Sequence, residues 1–142
     1  RAEVREGYQG WRRDLLQARE RVLDKPTVLG GVVLFTSFSP NADICGFGGD
    51  GYLYGLYFET GTAYEESVMG IEEELVGGEA RRRVVERVEL GIGLPSSLGI
   101  HVSRQLESQT AFIQQSTGAI QQVQTTVPLR TKSGIRSWRE VR

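Results

Sequence analysis

Cys45 is the one cysteine of the chain, and it stands between Asp43 and Asp50 in a glycine-rich run. A single Cys excludes an internal disulfide, a Cys-based zinc cluster and a Cys-x-x-Cys-His haem attachment. It leaves two roles, a small buried hydrophobe or half of a disulfide to another polypeptide or to a missing segment. Asp43 and Asp50 are the calcium candidates; two carboxylates beside four glycines supply few of the roughly 6–8 oxygens such a site needs, and forming a turn is the competing role. Gly46 to Gly51 does not meet the requirements of a phosphate cradle, because no Lys-Ser or Lys-Thr follows and no helix opens after it. His101 is the single histidine, so a metal site of several imidazoles or a Ser-His pair would depend on it alone, and a structural place in a strand is the simpler reading. Tyr52, Tyr54, Tyr57 and Phe58 could present a stacking surface to a ligand or pack as cross-strand pairs. No catalytic or cofactor-binding set emerges from these residues.

The elements that must position them read as β-structure. The 142 residues are 39% hydrophobic and 25% charged, a globular mixture with room for one domain. Seventeen Lys plus Arg against eighteen Asp plus Glu leave a net charge of -1, which gives no field to draw the chain to nucleic acid. The longest apolar runs are about four residues, as in Val32-Val33-Leu34-Phe35, against the ~20 that span a bilayer, so no membrane span is expected. With no initiating Met and no secretory leader pattern, the chain reads as a mature or cut product.

Eighteen glycines punctuate short runs of β-branched and aromatic residues. Val32 to Phe38 is expected as a strand buried on both faces, Cys45 to Gly51 as a tight glycine loop, and Tyr52 to Phe58 as a strand with a bulge at Gly55, since Leu53 and Leu56 do not share a strict period of two. From Glu65 to Arg87 the texture changes. Glu72-Glu73-Glu74 and Arg81-Arg82-Arg83 predict a charged, solvated loop at about 65–83, either a docking surface or an exposed excursion. Val84 to Leu90 reads as an exposed strand, Gly91 to Ser97 as a link, and Ile100 to Val102 as a short strand. Thr110 to Gln115 and Ile120 to Gln124 flank Ser116-Thr117-Gly118 as a hairpin, and Ile135 to Val141 alternates as a closing strand. Trp11, Leu15, Ala18 and Val22 fall at helical spacing, so propensity alone predicts a helix there.

Two patterns carry a resemblance. Gly51-Tyr52-Leu53-Tyr54-Gly55-Leu56 followed by Thr60-Gly61 resembles the blade signature of quinoprotein-type propellers, with Ser116-Thr117-Gly118-Ala119-Ile120 as a weaker second copy. The order Gly10-Trp11-Arg12-Arg13-Asp14-Leu15, Glu20-Arg21-Val22, Pro26 to Pro40, Asp43-Ile44-Cys45 and Gly48 to Leu53 resembles the C-terminal propeller of the PilY/PilC family, the type IV pilus tip-associated assembly factors and adhesins. Ser133-Gly134-Ile135-Arg136-Ser137-Trp138-Arg139-Glu140 is similar to that family's C-terminus.

The resemblance implies an all-β fold, with residues 1–142 forming the C-terminal part of a β-propeller of about two blades, completed by another chain or by a missing N-terminal portion. It places Gly10 to Leu15 in a strand and Leu16 to Glu20 in a turn, against the helix reading. The implied function is non-enzymatic: pilus assembly and surface adhesion at an extracellular pilus tip or outer cell surface, after export through the periplasm. The implied partners are minor pilins, the rest of the propeller and a host or surface ligand. Family members often bind calcium through an Asp-x-Asp-x-Asp-Gly loop, which is not found here, so calcium would belong to the missing part. The opposing readings are a quinoprotein-like propeller enzyme and a structural subunit of an extracellular filament. Cys45 is expected in a loop at one end of a blade, and one outer edge strand is expected to pair with a second polypeptide.

Overall fold

A computed structural model describes residues 10–41, 48–64, 68–76, 79–102 and 109–126, with 71–76 and 79–83 described by their backbone. The described residues are all-β. Ten strands follow in order: β1 (Arg21–Val22), β2 (Thr27–Leu29), β3 (Val32–Pro40), β4 (Gly49–Tyr57), β5 (Ile71–Val76), β6 (Glu79–Val84), β7 (Arg87–Ile92), β8 (Gly99–Val102), β9 (Gln109–Gln114) and β10 (Ile120–Thr125).

The first sheet is an antiparallel meander. β2 turns into β3 through Gly30-Gly31, both at positive φ (55° and 85°), which is the backbone that a two-residue hairpin compatible with strand twist demands. β1 lies along the same side of β3, so β1 and β2 together form one outer strand broken near Pro26. β3 pairs with β4 over nine residues without interruption, and β4 pairs with β7. A second sheet has the order β10-β9-β8 and a third consists of β5 and β6 alone.

Burial on both faces of the β3–β4 pair explains why its sequences do not alternate. Val32, Leu34 and Leu53 face a core shared with Val68, Met69, Leu90, Ala111 and Ile113, which joins the first sheet to the second. Phe35, Tyr52, Tyr54 and Leu56 face the other way, where Trp11, Leu15 and Val33 pack against them. Val32 to Phe38 is therefore buried on both faces, as expected. Leu53 and Leu56 are each fully buried on opposite faces, so no bulge is needed at Gly55 and the β3–β4 register runs straight through it. The irregularity lies instead between Gly51 and Tyr52 of β4 against β7, where Gly51 pairs Gly91 and Tyr52 pairs Glu89, leaving Leu90 as the extra residue.

Other expectations are corrected. β4 begins at Gly49, so Asp50 and Gly51 belong to a strand and not to the glycine loop. A side chain at 49 would not fit: a Cβ there would lie 2.6 Å from the Ser39 carbonyl oxygen and 2.7 Å from Phe38 Cε2. The charged run forms the β5–β6 ladder in place of a loop over 71–84, with residues 65–67 and 77–78 outside the described residues. The run Val84 to Leu90 is divided at residues 85–86 between β6 and β7. Residues 11–22 hold no helix; a turn falls at 16–20 as the resemblance implied, but 10–15 joins no ladder. The β9–β10 hairpin is as expected. Asp43, Cys45 and the Ile135 to Val141 run lie outside the described residues.

Candidate functional site

Residues 10–20 cross the aromatic face of β3–β4 as a strap, held at three points by contacts with distant parts of the chain. At its start, Trp11 Nε1 donates to the Phe58 carbonyl at 2.6 Å, and the indole lies against Gly61, whose φ of 65° and absent side chain make room for it. In the middle, Arg13 pairs with Glu86, both largely buried, and reaches the Gly61 carbonyl. At its end, the Glu20 carboxylate accepts hydrogen bonds from Gln17 N, Ser37 Oγ and Tyr54 Oη, the last at 2.8 Å.

These contacts define a partly buried polar cluster under the strap. The Tyr54 ring stacks on Phe35 with 5.0 Å between centroids and 2° between planes. Arg87 of β7 lies over the Tyr52 ring at 4.4 Å, a cation–π contact. Burial, then the hydrogen bond to Glu20, push the Tyr54 phenol up to about 12, while Arg87 pulls in the opposite direction. Burial is also the main cause raising Tyr52, followed by the Asp50 charge. Ser37 is 1% exposed, so its hydroxyl, although bonded to a carboxylate, is out of reach of a substrate while the strap is in place. The cluster fastens the strap to the sheet.

The aromatic group read from sequence therefore divides. Tyr52 and Tyr54 are buried packing residues. Tyr57 and Phe58 meet edge to face at 5.1 Å, Tyr57 meets Tyr64 at 4.9 Å, and Phe58 is 45% exposed. Asp50 sits in β4 opposite Ser39 and Ile92. His101 is exposed on β8 opposite Thr110. Among the described residues no three His, Cys, Asp or Glu side chains come together as metal ligands. No described helix is long and apolar enough to cross a membrane.

Sequence reasoning passed over Glu20, Ser37, Arg87 and Gln115. Gln115 is 4% exposed, and its Nε2 donates to the Leu90 carbonyl at 2.6 Å, satisfying the backbone that the β7 irregularity takes out of the ladder. A Gln at the end of an alternating strand carries no sign of this role. The most exposed large apolar side chains fall on three different strands: Val28 on β2, Ile92 on β7 and Ile120 on β10 are each more than 60% exposed. Comparison with protein-family models, curated proteins and solved structures gives no match.

Proposed function

We propose that the chain is a non-enzymatic interaction segment of a type IV pilus tip protein, forming two adjoining blades of a β-propeller exposed at the cell surface. The observation that carries this reading is the stacking of a four-strand-wide antiparallel meander, through one apolar core, on a second antiparallel sheet. Propeller blades are four-stranded antiparallel sheets that bury their faces on their neighbours. The motif order from Gly10 to Leu53 adds the family resemblance. The rest of the ring would come from the N-terminal portion of the same tip protein or from another chain. Minor pilins are the assembly partners, and a host or surface ligand is the adhesive one.

The experiment is surface plasmon resonance of immobilised minor pilins against this chain, alone and within its full reading frame. Saturable binding within the full frame is expected. Failure to bind in both forms overturns the reading, as does turnover of a dye acceptor on adding pyrroloquinoline quinone.

A further inference from the structure

The β5–β6 hairpin is separate from the two stacked sheets: its strands pair with each other and, among the described residues, with no third strand. Each therefore has an outer edge whose backbone donors and acceptors no described ladder uses. Its charge is sorted by strand. β5 reads Ile71-Glu72-Glu73-Glu74-Leu75-Val76, and β6 reads Glu79-Ala80-Arg81-Arg82-Arg83-Val84. The register sets Glu72 opposite Arg83, Glu73 opposite Arg82 and Glu74 opposite Arg81. Unlike charges at directly opposite positions favour a ladder and like charges disfavour it.

This arrangement opposes the in-register ways in which two copies could join edge to edge. A two-fold axis through Glu73 would set β5 against the other copy's β5, with Glu73 opposite itself and Glu72 opposite Glu74. A two-fold axis through Arg82 would do the same to the three arginines of β6. The charge-matched alternative, β6 of one copy on β5 of the next, is a translation of two strand spacings, about 10 Å. Each copy carries a body larger than that in every direction, with a sheet four strands across, strands nine residues long and two stacked layers. Such copies would overlap.

A single extended strand from another polypeptide meets none of these obstacles. We propose that the outer edge of β5 is an acceptor for an extended protein segment with three consecutive basic residues flanked by apolar ones, which adds antiparallel as a third strand. β5 is the acceptor because its charge is of one sign, whereas β6 mixes Glu79 with its arginines. The added strand gains affinity from main-chain hydrogen bonds and gains register from the three glutamates, the division of labour in strand-addition recognition.

The test titrates the full chain, labelled with nitrogen-15, with a synthetic peptide of the β6 sequence, residues 79–84, followed by amide chemical shifts. Saturable shifts confined to 71–76 are expected, with slow exchange of the β6 amides retained because the peptide adds to the hairpin and does not displace its strand. Raising salt tenfold should weaken binding by at least about tenfold, and a peptide with Glu in place of each Arg should give no shift. Glu73→Arg combined with Arg82→Glu keeps unlike charges opposite one another inside the hairpin. It should weaken the peptide at least about fivefold, with binding recovered by a peptide whose central Arg is replaced by Glu. The proposal is overturned by no saturation up to about 1 mM, by shifts that map elsewhere, by equal binding of the acidic peptide, by failure of the compensating peptide, or by a free chain whose β5 amides are already protected along both edges.

Discussion

Glu20 shows how one carboxylate joins parts of the chain that the sequence keeps apart, since Ser37 and Tyr54 both donate to it. Tyr54→Phe keeps the ring on Phe35 and removes one donor; a loss of about 1–2 kcal/mol is expected, read from urea unfolding. The pH dependence follows from the phenol raised to about 12 from an ordinary 10.0. Between those values the unfolded chain loses the Tyr54 proton and the folded chain keeps it. The stabilisation from this group is thus complete below about pH 10 and is lost as pH rises through about 12. The stability gap between the native chain and Tyr54→Phe should narrow from pH 9 to 11.5, and a constant gap would refute the shift. Gly61→Ala tests the other end of the strap. A side chain there meets both a positive φ and the Trp11 ring, so a loss of at least about 1 kcal/mol is expected, with Trp emission shifted to the red.

At the scale of elements, the β3–β4 pair and the β5–β6 hairpin are opposites. The first is covered on both faces and bonded on both sides; the second has two strands and no described third partner. Amide exchange should be slowest across Leu34, Phe35, Leu53 and Tyr54 and fastest, among the ladders, across 71–76, because two-stranded ribbons are marginal by themselves. Equal protection of the two would contradict this. Gly55 lies under Met69, and a Cβ there would stand 3.1 Å from Met69 Cε and 3.3 Å from Leu34 Cδ2. The flexible Met69 can yield to one methyl but not to two more, so Gly55→Val should cost about 1–3 kcal/mol by overpacking and Gly55→Ala markedly less, both read by thermal unfolding.

For the whole molecule, the core shared by Leu34, Leu53, Leu90, Ala111 and Ile113 ties the two stacked sheets into one unit. Ile113→Ala should cost about 2–5 kcal/mol, while Ile120→Ala, at 64% exposure, should cost less than about 0.5 kcal/mol. Near-equal effects would show that the sheets do not share a core. On the proposed reading as two propeller blades, edges and outer faces need partners, so the isolated chain should unfold broadly or self-associate. A stable monomer with one sharp transition would instead favour a self-contained β domain over part of a propeller.

Composition and local pattern were enough to determine the all-β class, the β9–β10 hairpin and the double-sided burial of Val32 to Phe38. Each of these depends on side-chain size, branching or turn chemistry within a few residues. Local pattern misled where the deciding partner was far along the chain. Trp11 to Val22 has helical spacing, yet the aromatic face of β3–β4 offers Trp11 and Leu15 a place to be buried that an isolated helix lacks. Leu53 and Leu56 break a period of two because a strand covered on both faces has no polar side to mark. The acidic and basic blocks read as solvated runs, but charges of opposite sign seven to eleven residues apart are also what a hairpin ladder needs, and only the register reveals that they are opposed. The roles of Glu20, Arg87 and Gln115 were decided by tertiary structure, because a polar side chain drawn inward takes its meaning from the group it meets, and Ser37, Tyr54, Tyr52 and Leu90 lie 17 to 35 positions away.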